Sequence, residues 1–185
     1  DDANKAGNKK ESQKCTLIIT EGDSAKTFAV SGLSAIKNGR DYIGIFPIRG
    51  KFINVKKASY NKLSNNIEFN HIIRILGLEP NKKYTTINQL RYGRMMILTD
   101  ADDDGRHIKG LLICLIHSFW PELLNIEGYI CTINTPVVKL SKGSKIIPFY
   151  NLTDLEKWKS TNNVKGWKEK YYKGLGTSKP EEAKE

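Results

Sequence analysis

The stretch RMMILTDADDDGRHIKGLLICLI, residues 94–116, decides the fold because it joins three kinds of segment in a row. The apolar run at its start predicts a buried strand, and the acidic turn that ends at Gly105 predicts a sharp bend. The leucines and isoleucines that follow form the apolar stripe of a helix. A strand that runs through a turn into a helix is typical of α/β sheets, which bind ligands at the carboxyl ends of their strands.

The turn carries four carboxylates in five positions: Asp100, Asp102, Asp103 and Asp104. Each close pair of like charges costs about 4 kcal/mol at an effective dielectric constant of about 20. Capping of the helix is the alternative, but it is worth only about 0.3–1 kcal/mol and needs one carboxylate. A divalent cation is the expected partner, and oxygen ligands favour Mg²⁺, with Mn²⁺ or Ca²⁺ as substitutes, over zinc.

An EF-hand calcium loop matches the first half of this pattern, because Asp100, Asp102, Asp104 and Gly105 have the required types and spacing. Its twelfth position should be a glutamate, and here it is Leu111. The segment that enters the loop is also strand-like instead of helical, so the sequence argues against calcium signalling.

The composition of the chain indicates its class of protein and the charge of its partners. It has 185 residues, 39% of them apolar, a formal net charge of +10 and a pI near 9.4, so it can bury a core and attract polyanions such as nucleic acid. The three cysteines are unclustered, which is typical of buried free thiols in a reducing compartment. No apolar run is long enough to cross a membrane, and residues 1–14 are polar and predict a linker.

Periodicity predicts a strand, a helix, a second strand, helices, a third strand, a helix and then several strands. Strands are expected at 15–20, at 42–46 with Pro47 as the stop, at 95–98, and later at 129–133, 136–140 and 146–150; one helix is expected over 59–78, ended by Gly77. Right-handed crossovers in such a fold place the first and third strands side by side. This adjacency brings Glu21 toward Asp100 and Asp102.

Two phosphate-binding patterns are incomplete. Residues 44–51 approach a P-loop, but Phe52 stands where serine or threonine must bind magnesium. Residues 173–176, KGLG, lack the third glycine of a dinucleotide fingerprint. Nucleotide hydrolysis is therefore not expected in this segment.

Four motifs occur together and in order: EGDSAK at 21–26, PIRGK at 47–51, DADDDG at 100–105 and YYKGLGTS at 171–178. With them the chain resembles the Toprim domain of type IIA DNA topoisomerases of the eukaryotic branch. The resemblance implies an α/β, Rossmann-like Toprim fold with a mainly parallel sheet over residues 15–140. It also implies a β-rich C-terminal extension over residues 141–185.

The resemblance further implies a site. Glu21, Asp100 and Asp102 would be the Mg²⁺ ligands for DNA cleavage and rejoining, with Asp104 as a supporting catalytic residue and Glu21 also as a proton carrier. The predicted DNA contacts are Arg49, Lys51, Asn54 and Lys173. The nucleophilic tyrosine would lie outside this segment, so the fragment alone is expected to be inactive.

For the parent chain, the resemblance implies duplex DNA as partner, a homodimer and ATP bound elsewhere, in the nucleus or in a viral or cytoplasmic counterpart. Asp103 and Arg106 depart from the family pattern, and we expect them to pair locally. His107 is expected either beside the metal or on the helix surface, and not as a ligand, because Mg²⁺ prefers oxygen. Two alternatives stay open: a Toprim domain from a primase or nuclease, and a noncatalytic module that binds nucleic acid.

Overall fold

The computed structural model describes residues 1–100, 102–133 and 135–172, which form two sheets. The first contains β1 (Thr16–Glu21), β2 (Ile43–Ile48), β3 (Arg94–Leu98) and β4 (Ile130–Thr132). All its strands are parallel, in the order β2-β1-β3-β4. The predicted α/β fold and the adjacency of the first and third strands are therefore confirmed.

Helices cover both faces of this sheet. The helices of the described residues are α1 (Gly22–Leu33), α2 (Gly39–Tyr42), α3 (Tyr60–Ser64), α4 (Ile67–Leu76), α5 (Asp103–Phe119) and α6 (Leu152–Thr161). Because successive strand side chains point to opposite faces, Ile18 packs in the α1 core while Leu17 and Ile19 pack in the core of α4 and α5. The central strands are thus buried on both sides, which holds their carboxyl ends in place.

The second sheet is antiparallel and has its own small core. It contains β5 (Val138–Lys142), β6 (Lys145–Phe149) and β7 (Lys168–Tyr171) in the order β6-β5-β7. Its buried side chains are Val138, Leu140 and Phe149, together with Leu155 from α6. The predicted β-rich extension is confirmed. The expected boundary after residue 140 falls inside β5, so we propose that the boundary lies before Val138.

Two elements differ from expectation, each for a local reason. The single helix predicted over 59–78 is wrong: α3 and α4 are separate, because the Asn66 side chain accepts a hydrogen bond from the Phe69 N–H (2.8 Å) and starts a new helix. Gly77 ends α4 with a positive φ, as predicted. Pro47 does not stop β2, since β2 is an edge strand that tolerates a missing N–H.

The segment predicted as a linker, residues 1–14, lies against the first sheet. The Ile45 N–H donates to the Asp1 carbonyl oxygen (2.8 Å), and Ala3 is buried. The Asp2 carboxylate accepts hydrogen bonds from the Tyr92 hydroxyl and the Arg91 guanidinium. None of the helices in the described part of the chain is long and apolar enough to cross a membrane.

Candidate metal centre at the strand ends

Glu21 lies beside the acidic turn because β1 and β3 are neighbours. It is the last residue of β1, and the register pairs Thr20 with Leu98 at the end of β3. Asp100 follows two residues later, and Asp102 and Asp104 stand at the start of α5. The carboxylates that are distant in sequence are thereby brought to one edge of the sheet.

The electrostatics of Glu21 reflect these neighbours. Burial raises the pKa of its carboxyl group, a hydrogen bond from the Asp100 backbone lowers it, and the charges of Asp100, Asp102 and Asp104 raise it again. Its Oε2 atom is buried and has no hydrogen-bond partner among the described residues. An unsatisfied buried carboxylate oxygen is costly, and a bound cation would satisfy it.

The aspartates differ in what they contact. An Asp102 oxygen accepts a hydrogen bond from the Gly105 N–H (2.8 Å), which caps α5. Asp103 pairs with Arg106, so the predicted local pair is confirmed. Asp104 Oδ1 lies 3.1 Å from the Lys51 ammonium, with both side chains about two-thirds exposed. Capping of α5 therefore uses one carboxylate of the four, in agreement with the expectation that capping needs only one.

Coordination geometry itself is not present. Over residues 1–100, 102–133 and 135–172, no group of three or more His, Cys, Asp or Glu side chains is arranged so that it could hold a metal ion. One oxygen of Asp102 caps its own helix and one oxygen of Asp104 contacts Lys51. The ligand set Glu21, Asp100 and Asp102 stays a prediction. Its all-oxygen chemistry and the unsatisfied Glu21 Oε2 fit Mg²⁺.

Gly105 and Thr99 hold the acidic turn in place. A Cβ atom at Gly105 would overlap the Asp100 carbonyl oxygen and lie 3.1 Å from the Thr99 Cβ. The buried Thr99 hydroxyl donates to the Gly105 carbonyl oxygen (3.2 Å). Glycine is needed here for this close approach, whereas the sequence suggested only a sharp bend. Nothing in the sequence singled out Thr99, apart from its position between the apolar strand and the first aspartate.

The predicted DNA contacts lie on a loop of residues 49–59, which we call the basic loop. Arg49 and Lys51 are exposed, while Phe52 and Val55 are buried and anchor the loop. The Asn54 Oδ1 atom accepts a hydrogen bond from the Lys56 N–H (3.1 Å), which gives Asn54 a structural role as well. The Lys51–Asp104 contact places this loop directly beside the acidic turn.

Two other residues complete the predicted set. Lys173, and with it most of the YYKGLGTS motif, lies outside the described residues. His107 is exposed on α5 and belongs to no ligand cluster in the described ranges.

Family comparisons agree with this fold. Residues 16–136 match the Toprim domain family, and residues 133–185 match the C-terminal associated domain of Toprim. The chain therefore belongs to the Toprim family.

Within that family, similar proteins are named DNA topoisomerase 2. The chain is 52% identical over its full length to DNA topoisomerase 2 of Pisum sativum and 55% identical over its full length to DNA topoisomerase 2-alpha of Rattus norvegicus. It is 54% identical over 99% of its length to DNA topoisomerase 2 of Acanthamoeba polyphaga mimivirus. It spans 13%, 12% and 15% of these relatives, respectively.

A crystal structure described as the topoisomerase II DNA-binding, cleavage and re-ligation domain of Plasmodium falciparum superposes with a TM-score of 0.93 at 52% identity. The match covers 99% of this chain and 25% of that one. The expected resemblance to type IIA DNA topoisomerases is confirmed.

Proposed function

We propose that this chain is the metal-binding Toprim segment of an ATP-dependent DNA topoisomerase 2, and that it supplies the acidic half of the site that cuts and rejoins duplex DNA. The observation that carries the proposal is the buried, unsatisfied Oε2 of Glu21 beside Asp100, Asp102 and Asp104. Glu21, Asp100 and Asp102 would hold Mg²⁺, with Asp104 in support. When bound, Mg²⁺ neutralises charge on the phosphate and on the leaving 3′ oxygen.

Glu21 has a second role in this proposal. Burial raises the pKa of its carboxyl group, which favours the protonated form relative to an exposed glutamate. A carboxylate oxygen of Glu21 would give the 3′ oxygen a proton on cleavage and take it back on rejoining, in steps in which that carboxylate oxygen does not bind the cation.

The basic loop would bind the DNA backbone. Arg49 and Lys51 supply exposed positive charge, and Asn54 can donate from its amide nitrogen while its oxygen holds the loop. Lys173 is proposed as a further contact. The formal net charge of +10 supports a polyanionic partner.

The remaining parts of the reaction belong to the parent chain. The chain spans less than one sixth of the relatives named above, which supports a nucleophilic tyrosine, ATP binding and a dimer contact elsewhere. The fragment alone would then bind metal weakly without turnover. Nuclear location is proposed for a cellular parent, while the mimivirus relative supports a viral or cytoplasmic counterpart. A primase or nuclease Toprim domain is not favoured by these relatives.

Substitution of the proposed ligands in the full parent chain tests this function. We expect Glu21→Gln and Asp102→Asn to lower Mg²⁺-dependent plasmid cleavage by at least about 100-fold, the scale for losing one electrostatic stabilising group. Asn is also a good N-cap, so Asp102→Asn should leave α5 intact. The measurement is linear DNA formed against Mg²⁺ concentration, with thermal unfolding to verify the fold.

Asp103→Asn is the matched control, because it removes the same charge from the same turn at a residue paired with Arg106. We expect it to cleave at nearly the parental rate. Parental cleavage and unchanged Mg²⁺ affinity in the Glu21 and Asp102 variants would instead favour a noncatalytic nucleic-acid-binding module.

A further inference from the structure

A polar cavity lies next to the acidic turn, between the two sheets. Its volume is about 350 Å³. Thr99 at the end of β3 and Arg106 and Lys109 on α5 line one side, and Thr135, Tyr150 and Asn151 line the other. Cavities at the junction of two folding units are common ligand sites, and this volume falls in their usual range.

The lining of this cavity is cationic. Among the described residues, Arg106 and Lys109 line it together with the apolar Ile133, and no carboxylate does. Arg106 is already paired with Asp103, so, in the part of the chain that the structure describes, Lys109 supplies the cation that has no ion pair. Arg106 and Lys109 are three residues apart on one helix, so they lie on the same helical face. Lys109 is half-buried and has no ion pair within the described ranges, although Asp100, Asp102, Asp103 and Asp104 all stand nearby in sequence. A half-buried ammonium of this kind favours an anionic ligand.

The neutral lining groups indicate which class of anion the cavity binds. Thr135 and Tyr150 carry hydroxyl groups, which can donate hydrogen bonds to oxygen. Asn151 caps α6 and already donates one amide hydrogen to Asp154 (2.8 Å), so it has one amide hydrogen left to donate. A phosphate has several acceptor oxygens and suits a lysine and arginine pair with such donors. The cavity is also larger than one phosphate ion needs, so it has room for a group attached to the phosphate.

We propose that this cavity binds a phosphate group, with Lys109 as the principal cation. Neither Glu21 nor any of the four aspartates lines the cavity, so the site is separate from the proposed metal centre. The phosphate has two possible sources, the backbone of duplex DNA or a free phosphate compound. Only the DNA source rests on the proposed function. In that case the cavity would contact the DNA backbone in addition to the basic loop.

Lys109→Ala in the full parent chain tests the cavity, with Lys37→Ala as the control. Lys37 is an exposed lysine that follows α1. Because α1 begins at the carboxyl end of β1, where the acidic turn lies, and runs back along the sheet, Lys37 lies toward the opposite end of the sheet. Two measurements are made in EDTA, which keeps phosphate from binding through metal. The first is the affinity for inorganic phosphate and pyrophosphate by calorimetry. The second is the salt dependence of duplex binding.

A DNA phosphate in the cavity predicts that Lys109→Ala lowers the slope of log affinity against log salt by about one, with no change in Lys37→Ala. A free phosphate ligand predicts an unchanged slope and a loss of phosphate or pyrophosphate affinity of about tenfold, the scale of one charge-assisted contact. Parental behaviour of Lys109→Ala in both measurements, or an equal loss in Lys37→Ala, would overturn the proposal.

The same measurements on Glu21→Gln separate this proposal from the catalytic one. Because Glu21 does not line the cavity, the effect of Lys109→Ala should persist in a Glu21→Gln background. Parental cleavage by Glu21→Gln, with the Lys109 effect intact, would remove the proposed function and leave the phosphate site standing.

Discussion

Lys51 is the residue where the proposed metal site and the proposed DNA surface meet. Its ammonium lies 3.1 Å from Asp104, so without DNA it neutralises a carboxylate that would otherwise attract a cation. Its side chain is about two-thirds exposed, which leaves it accessible to a phosphate as well. If a DNA phosphate pairs with Lys51, Asp104 becomes free to bind the metal. DNA binding and Mg²⁺ binding would then each increase the affinity for the other.

Lys51→Ala should separate these two effects. Loss of the positive charge is expected to raise the Mg²⁺ affinity of the DNA-free parent chain by roughly twofold to fivefold, the scale of an exposed ion pair. It should also lower the salt slope of duplex binding by about one. Metal titration and DNA binding at several salt concentrations measure the two changes.

Lys57→Ala is the control for this prediction, since Lys57 is exposed on the same basic loop and has no ion pair within the described ranges. If Lys51→Ala weakens Mg²⁺ binding, or if Lys57→Ala behaves the same way, the competition between Lys51 and the cation is disproved.

At the scale of elements, α5 depends on one glycine for its position. Gly105 brings the first turn of the helix against the Asp100 carbonyl group, and Asp102 caps the same turn. The strand, the turn and the helix therefore act as one unit that sets the direction of the aspartates.

Gly105→Ala should destabilise this unit. The added methyl group must displace the Asp100 backbone, at a cost of about 1–3 kcal/mol in the free energy of unfolding, and cleavage by the parent chain should fall because Asp100 moves. Gly110→Ala in the same helix is the control. It has open space around its Cβ position and should stabilise α5 by about 0.5–1 kcal/mol. Equal effects of the two substitutions on denaturant unfolding would contradict the steric role of Gly105.

Sequence periodicity predicted most of these elements because the apolar runs of β1 and β3 are short and end in turn residues. It failed at Asn66, where a side-chain cap starts a new helix. It also failed at Pro47, because β2 is an edge strand and an edge strand tolerates proline. The predicted meeting of Glu21 with Asp100 followed from parallel topology alone. The Lys51–Asp104 pair joins residues far apart in sequence, and periodicity carries no signal for such a contact.

At the scale of the whole molecule, the two sheets have separate cores. In the second sheet, an ion pair joins the strand β7 to the helix α6. Lys159 on α6 lies 2.9 Å from a Glu169 oxygen on β7, and the Tyr171 hydroxyl donates to Glu169 as well (3.0 Å). The bond from Lys159, followed by the bond from Tyr171, lowers the pKa of the Glu169 carboxyl group. No equivalent contact ties Glu21 to a lysine in the described residues, and its pKa is shifted in the opposite direction.

The two sheets should consequently respond differently to acid. A carboxyl group whose pKa is lowered in the folded state stabilises that state above its unfolded pKa, and this contribution is lost as pH falls through the lower, folded value. Below the ordinary range for glutamate, the protection of β5–β7 amides against hydrogen exchange should therefore decline. Lys159→Met should remove most of this pH dependence, whereas Lys157→Met on the same helix should keep it. An acid response that survives in Lys159→Met would show that another group links the second sheet to pH.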